Sequence, residues 1–199
     1  FEKYIHRYGV IPEIKPVIFT NNSSTATLLK SLVDLGHKPA AYVDARAKDK
    51  IDKKFLNFLK ENNIPFYINA EVEGCDGNKK VKTVSIRKNR NTIIKVKTSM
   101  LCVSGGINPD IHLFTQSKGL VKWDDKILTF KPDLPFQNTI TIGSVSGNYN
   151  YDKTIDEIND KLSFLQSNSV KFNLELNDTN NFNIKELWET KHQKKSNWA

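Results

Sequence analysis

The sequence predicts an α/β protein with a parallel, Rossmann-like sheet and an antiparallel β-meander inserted before the last parallel strand. Apolar runs alternate with amphipathic helical segments over residues 1–70, which is the pattern of a doubly wound unit. The period then changes to that of strands between about residues 71 and 98. An apolar run that stops at a double glycine follows. We therefore place one domain over residues 1–166.

The first half of the chain contains a β-α-β-α-β unit. A short helix over residues 1–8 ends at Gly9, because glycine accepts the left-handed conformation that closes helices. Strands are predicted at residues 17–20, 40–44 and 65–69, and helices at residues 24–35 and 51–59. Consecutive units of this type form a parallel sheet with right-handed crossovers.

The second half begins with the meander and returns to the parallel sheet. Residues 101–103 predict a buried strand that contains a buried thiol, Cys102, and ends at a double glycine. Pro109 starts a short helix that runs to Phe114. Residues 139–143 predict another buried strand, and a helix follows over residues 152–166.

The tail over residues 167–199 is polar and rich in asparagine, which predicts a linker to a further domain outside this chain. Leu187 and Trp188 are its candidate docking point. Since the chain does not begin with methionine, we expect it to be an interior piece of a longer protein.

Composition excludes several classes of function. The net charge of +8 comes from scattered lysines and arginines rather than from a stripe, so no nucleic-acid partner is predicted. No run is long and apolar enough for a membrane, residues 1–8 do not have the pattern of a leader peptide, and we expect a cytoplasmic protein. The spacing of the two cysteines and four histidines does not match that of metal ligands; these residues are Cys75, Cys102, His6, His37, His112 and His192. No catalytic set of residues is recognisable in the sequence.

The first strand-to-helix turn lacks the GxGxxG fingerprint of dinucleotide sites. Its three glycine positions are occupied by Thr20, Asn22 and Thr25, and the side chain at the second position stands where a pyrophosphate would lie. Asp44 ends the second strand, where an acidic residue would bind a ribose, but without the glycines we favour an ion pair with Arg46. A small-anion site at residues 21–24 is the alternative.

Five segments of the chain, in order, resemble the alpha subunit of heterotetrameric sarcosine oxidase. The longest reads Ser-Gly-Gly-Ile-Asn-Pro-Asp-Ile-His-Leu-Phe-Thr-Gln-Ser-Lys-Gly over residues 104–119, and the others lie at residues 4–12, 19–24, 42–46 and 123–124. The resemblance covers nearly the first 165 residues.

The resemblance implies an activity, cofactors and partners. Sarcosine oxidase of this type demethylates N-methylglycine with O2 and tetrahydrofolate, giving glycine, methylenetetrahydrofolate and H2O2. It carries a tightly held NAD, FAD and a covalent FMN, and alpha assembles with beta, gamma and delta subunits. This chain would supply a nucleotide-binding-like domain whose NAD is shared with an upstream fold, while folate binds in a downstream domain. The chain alone is expected to be inactive.

By the same resemblance, the cofactor-binding residues would be Gly143, Ser144, Gly147, Tyr149 and Tyr151. Backbone N–H groups of residues 143–147 would face the phosphates of NAD. A plain strand-to-helix corner is the alternative. Because residues 148–151 depart from the family's small residues, a related opine or amine oxidase, or a dye-linked dehydrogenase, with FAD in that place stays open. A non-catalytic assembly module is the other candidate, whereas the absence of CxxC argues against a disulfide reductase.

Overall fold

A computed structural model describes residues 1–11, 15–88, 92–137 and 139–165, with side chains through residue 161. The chain forms two compact units, which comprise residues 1–106 and 107–165 of this described part. The single domain over residues 1–166 stays a prediction, and the predicted tail lies outside the described residues.

The first unit contains the predicted parallel sheet and meander. Its elements are α1 (Glu2–Tyr8), β1 (Val17–Thr20), α2 (Thr25–Asp34), β2 (Ala41–Asp44), α3 (Lys53–Glu61), β3 (Phe66–Ile68), β4 (Ala70–Gly77), β5 (Val81–Lys88), β6 (Thr92–Lys97) and β7 (Leu101–Ser104). The four parallel strands have the order β3-β2-β1-β7, and β4, β5 and β6 form an antiparallel sheet. The predicted fold class is confirmed.

The central strand β1 is buried on both faces, and this explains its apolar run. Ile18 faces one core cluster together with Leu29 of α2 and Leu59 of α3. Val17 and Phe19 point the opposite way, into a second cluster that includes Val84 and Ile86 of the meander. Helices therefore cover one face of the parallel sheet and the meander covers the other, as buried parallel strands require.

The helix ends follow from local sequence. Gly9 has φ 61°, and its N–H closes α1 by donating to the Ile5 carbonyl. Asp52 begins α3 because its carboxylate accepts the Lys54 N–H at 2.8 Å.

The strand β7 is less buried than predicted. Among the described residues it is the outermost strand of its sheet and pairs only with β1. Val103 is 64% exposed, and Cys102 is half-buried rather than buried. The prediction of a fully buried strand is wrong because an edge strand has one neighbour, which its apolar composition does not reveal.

The second unit contains α4 (His112–Gln116), β8 (Val121–Asp124), β9 (Thr129–Pro132), a 3₁₀ turn (Gly143–Ser146) and α5 (Tyr151–Leu165). The hairpin of β8 and β9 is held by an edge-to-face pair of Trp123 and Phe130, whose ring centroids lie 5.2 Å apart. Asp124 and Lys131 form an ion pair on the same hairpin.

The prediction of a buried strand at residues 139–143 is wrong, because this segment is not a strand in the structure. Ile142 has extended dihedrals, φ −141° and ψ 156°, but no strand pairs with this segment within the described residues. An extended segment without a ladder partner leaves its backbone groups to other acceptors and donors. Ile140 and Ile142 are exposed accordingly.

Candidate functional site

The carboxyl ends of three parallel strands meet at one edge of the sheet. Thr20 at the end of β1 lies beside Asp44 of β2 and beside Ser104 of β7. Ligands of doubly wound proteins bind at this edge, next to the turn between the first strand and its helix. That turn, residues 20–25, is called the first turn below.

The first turn is closed by its own side chains. The Asn22 amide is fully buried and donates to the Ser104 carbonyl at 3.2 Å, while its oxygen accepts the Ser24 N–H at 2.9 Å. The Ser24 and Ser104 hydroxyls lie 2.8 Å apart, and the Thr20 hydroxyl accepts the Asn22 N–H at 3.2 Å. The side chain at the second glycine position therefore fastens the turn to β7.

A buried ion pair supports the same edge. The Arg46 guanidinium donates to both Asp44 oxygens, from Nε at 3.0 Å and from Nη2 at 2.8 Å, and both side chains are buried. Tyr42 adds a hydrogen bond to Asp44 at 3.0 Å, and Arg46 Nη1 reaches the Ser23 hydroxyl at 2.8 Å. The favoured pairing of Asp44 with Arg46 is confirmed, and both oxygens of the carboxylate are occupied by protein donors.

Tyr42 is kept neutral by its surroundings. Burial raises the pKa of its phenol far above the ordinary value, and the Asp44 charge raises it further. The phenol is therefore neutral at physiological pH, where it donates its hydrogen bond to Asp44.

The double glycine after β7 faces open space. A Cβ at Gly105 or Gly106 would meet nothing within 4 Å, and Gly106 has φ 141°, which excludes other residues. Within the described residues, therefore, no group lies close enough to this backbone to require a glycine for space.

The second turn, residues 143–147, contains two glycines, and a carboxylate of the chain itself, that of Glu157, binds to it. Gly143 and Gly147 have φ values of 65° and 83°. The Gly143 N–H donates to Glu157 Oε2 at 3.0 Å, and the Ser146 hydroxyl lies 3.0 Å from the same oxygen. Lys161 Nζ donates to Glu157 Oε1 at 2.9 Å.

Glu157 is ionised in this setting. Burial by itself raises the pKa of the carboxyl, but hydrogen bonds from Lys161, Gly143 and Ser146 outweigh it, so the net pKa is lowered. The sequence interpretation missed this residue. The i, i+4 spacing of Glu157 and Lys161 on α5 is the signal that could have revealed it.

The remaining predicted site residues lie at the start of α5. Tyr149 donates its hydroxyl to the Ile107 carbonyl at 3.1 Å, and burial raises the pKa of its phenol. Tyr151 is the first residue of α5 and is 46% exposed. Asn150 caps the helix by accepting the Lys153 N–H at 2.9 Å. Contact of these residues with a dinucleotide stays a prediction.

The described part of the chain has neither a metal-ligand cluster nor a membrane-spanning helix. Among these residues, no group of three or more His, Cys, Asp or Glu side chains is arranged to hold a metal ion. None of the helices described is long and apolar enough to cross a membrane.

The fold is similar to that of two solved reductases. Thioredoxin reductase from T. acidophilum superposes with a TM-score of 0.53 and 18% identity, over 68% of this chain and 46% of that chain. Bacillithiol disulfide reductase from Staphylococcus aureus gives a TM-score of 0.51 and 14% identity, over 67% and 43%. At these identities the likeness shows the fold alone.

Sequence relatives confirm the resemblance to sarcosine oxidase alpha subunits. The alpha subunit from Corynebacterium sp. (strain U-96) is 27% identical over 150 residues, and that from Rhizobium meliloti (strain 1021) is 29% identical over 127 residues. These matches cover 72% and 64% of this chain but only 15% and 12% of the two relatives. No protein-family model matches the chain.

Proposed function

We propose that this chain is the nucleotide-binding-like domain of an alpha-type subunit in a sarcosine-oxidising flavoprotein. The observation that carries the proposal is the similarity to two sarcosine oxidase alpha subunits over about two thirds of the chain. The fold supports it, since it is similar to that of a solved thioredoxin reductase, which is also an oxidoreductase.

In this proposal the first turn has a structural role. Asn22, Ser24 and Ser104 consume the donors and acceptors that a pyrophosphate would need, and Asp44 is held by Arg46. The domain therefore binds no dinucleotide at its own sheet edge. NAD instead contacts Gly143, Ser144, Gly147, Tyr149 and Tyr151 when a further part of the complete subunit completes the site.

The whole reaction belongs to the complete complex. Oxidative demethylation of sarcosine with O2 and tetrahydrofolate would need the FAD and FMN of that complex. The beta, gamma and delta subunits are the partners that this proposal requires. In this proposal we assign no catalytic residue to the described part of the chain.

The proposal is tested on the complete protein that contains this chain, purified from its host. We expect flavin absorbance, bound NAD, and peroxide release that depends on sarcosine. Tyr151→Ala should lower the NAD content, whereas Tyr8→Ala, which truncates an exposed tyrosine in the first unit, should leave it unchanged. A protein without flavin and without sarcosine-dependent peroxide would contradict the proposal.

A second candidate is a non-catalytic assembly module, favoured by the closed first turn. It predicts a complete protein that holds its partner subunits without any bound nucleotide. A related opine or amine oxidase, or a dye-linked dehydrogenase, would instead show flavin but prefer another amine or another electron acceptor.

A further inference from the structure

A groove with apolar side chains lies beside the edge strand β7. It has a volume of about 510 Å³ and is lined by Phe1, Tyr4, Val10 and residues 100–103. Tyr4, Val10 and Val103 are each more than half exposed, at 60%, 52% and 64%. Apolar walls open to water are stabilised when an apolar group covers them, and the volume is within the range of roughly 300–1,000 Å³ that ligand pockets span.

The chain itself contains a segment whose chemistry matches the groove. Ile184, Leu187 and Trp188 have the i, i+3, i+4 spacing that is typical of an apolar helix face, and the charged Lys185 and Glu186 fall outside that spacing. They lie beyond the described residues, in the otherwise polar C-terminal part of the chain. We propose that residues 184–188 dock in the groove beside β7, with Leu187 and Trp188 as its apolar anchors.

The length of chain outside the described part permits this docking. Residues 166–183 connect α5 to the segment, and when extended they reach about 60 Å. That reach is roughly twice the diameter of a small domain. The groove needs no charged partner, because none of its lining side chains carries a charge. A second copy of the chain is a poorer occupant, since two copies with a net charge of +8 repel each other.

Cys102 is a reporter inside the groove. It is half-buried in the wall, whereas Cys75, the other cysteine of the chain, is exposed on the meander. A thiol reagent such as N-ethylmaleimide therefore measures access to the groove at Cys102 and general reactivity at Cys75. Mass spectrometry of the two labelled peptides separates the rates.

In the full chain we expect Cys102 to react at least tenfold more slowly than in a Leu187→Ser/Trp188→Ser variant. The rate at Cys75 should be the same in both proteins. Trp198→Ser is the matched control, because it removes the same type of side chain from the same tail but outside the docking segment. Val103→Asp, which places a charge in the groove wall, should also expose Cys102 with the tail intact.

Equal Cys102 rates in the full chain and in the double variant would overturn the proposal. Protection of Cys102 that falls when the protein is diluted would also overturn it, because a second copy would then be the occupant. Circular dichroism spectra and the Cys75 rate establish that the variants keep their fold. Flavin content and peroxide release do not enter this test, so its outcome is independent of the proposed function.

Discussion

The two turns that could contact a dinucleotide are closed in different ways. The first turn has no glycine, and the fully buried Asn22 side chain fills it together with the partly buried Ser24. The second turn has two left-handed glycines, and the carboxylate of Glu157, which is 19% exposed, accepts the Gly143 N–H. The first closure belongs to the core of its unit, whereas the second is an ionic contact near the surface.

This difference predicts how each turn responds to substitution. Removing one partner from a buried network leaves the others unsatisfied, at a cost of about 1–3 kcal/mol per polar group and more for a charge. An ionic contact near solvent is screened and loses less. The four substitutions below are ordered from the largest expected effect to the smallest.

Asp44→Ala should be the most damaging change at the first turn. It leaves the Arg46 guanidinium buried without its carboxylate, and we expect the free energy of unfolding to fall by about 3–5 kcal/mol. Urea denaturation measures the loss. Asp49→Ala, which removes an exposed carboxylate, is the control and should change stability by less than about 0.5 kcal/mol.

Asn22→Ala should cost about 1–3 kcal/mol, because the Ser104 carbonyl and the Ser24 N–H lose their buried partner. The same urea titration measures it. Asn57→Ala on the exposed face of α3 is the matched control. If both variants unfolded at the same urea concentration, the Asn22 side chain would not be closing the turn.

Gly147→Ala tests the backbone of the second turn. Alanine at φ 83° is strained, and its Cβ would approach Ile127 Cδ1 to 2.8 Å, so we expect a loss of about 1–2 kcal/mol. Thermal denaturation would detect it. Gly105→Ala, where a Cβ meets nothing within 4 Å, should be nearly neutral.

Glu157→Gln should cost about 1 kcal/mol at neutral pH, because the carboxylate is partly exposed and its ion pair with Lys161 is screened. Since the pKa of Glu157 is lowered in the folded state, its contribution is complete above the ordinary glutamate pKa of about 4.3. It is then lost as the pH falls through the lowered value.

The measurement is the difference in unfolding free energy between wild type and Glu157→Gln at several pH values from neutral to acidic. The gap should close only at acidic pH. Asp156→Asn removes the same charge from the next, exposed position and should show no such gap. A gap that is the same at every pH would mean that the charge of Glu157 is unimportant.

The sequence was sufficient for the parallel sheet, the meander and the loss of the glycine fingerprint. These features depend on the periodicity of apolar residues and on the residues at turns. Val17, for example, lies in the apolar run that forms β1, and Gly9 is the glycine that ends α1. The pairing of Asp44 with Arg46 was also predictable, because the two residues are close in sequence.

The remaining features depend on contacts between distant residues. The exposure of Val103 follows from the position of β7 at the sheet edge, which its apolar run does not encode. The strand predicted at residues 139–143 has the right composition but no partner in the described part of the chain. Glu157 reaches Gly143 across fourteen positions, so a local pattern gives no sign of that contact.

The central claim is that both turns are closed, so this chain alone binds no dinucleotide. The direct measurement is thermal denaturation of the chain in the presence of NAD and, separately, of FAD. We predict no change in the melting temperature with either ligand. A ligand at about 100 times its dissociation constant would add about 2.7 kcal/mol of stability. A rise in melting temperature of that size with NAD would contradict the claim and would mean that one of the two turns opens to hold the cofactor.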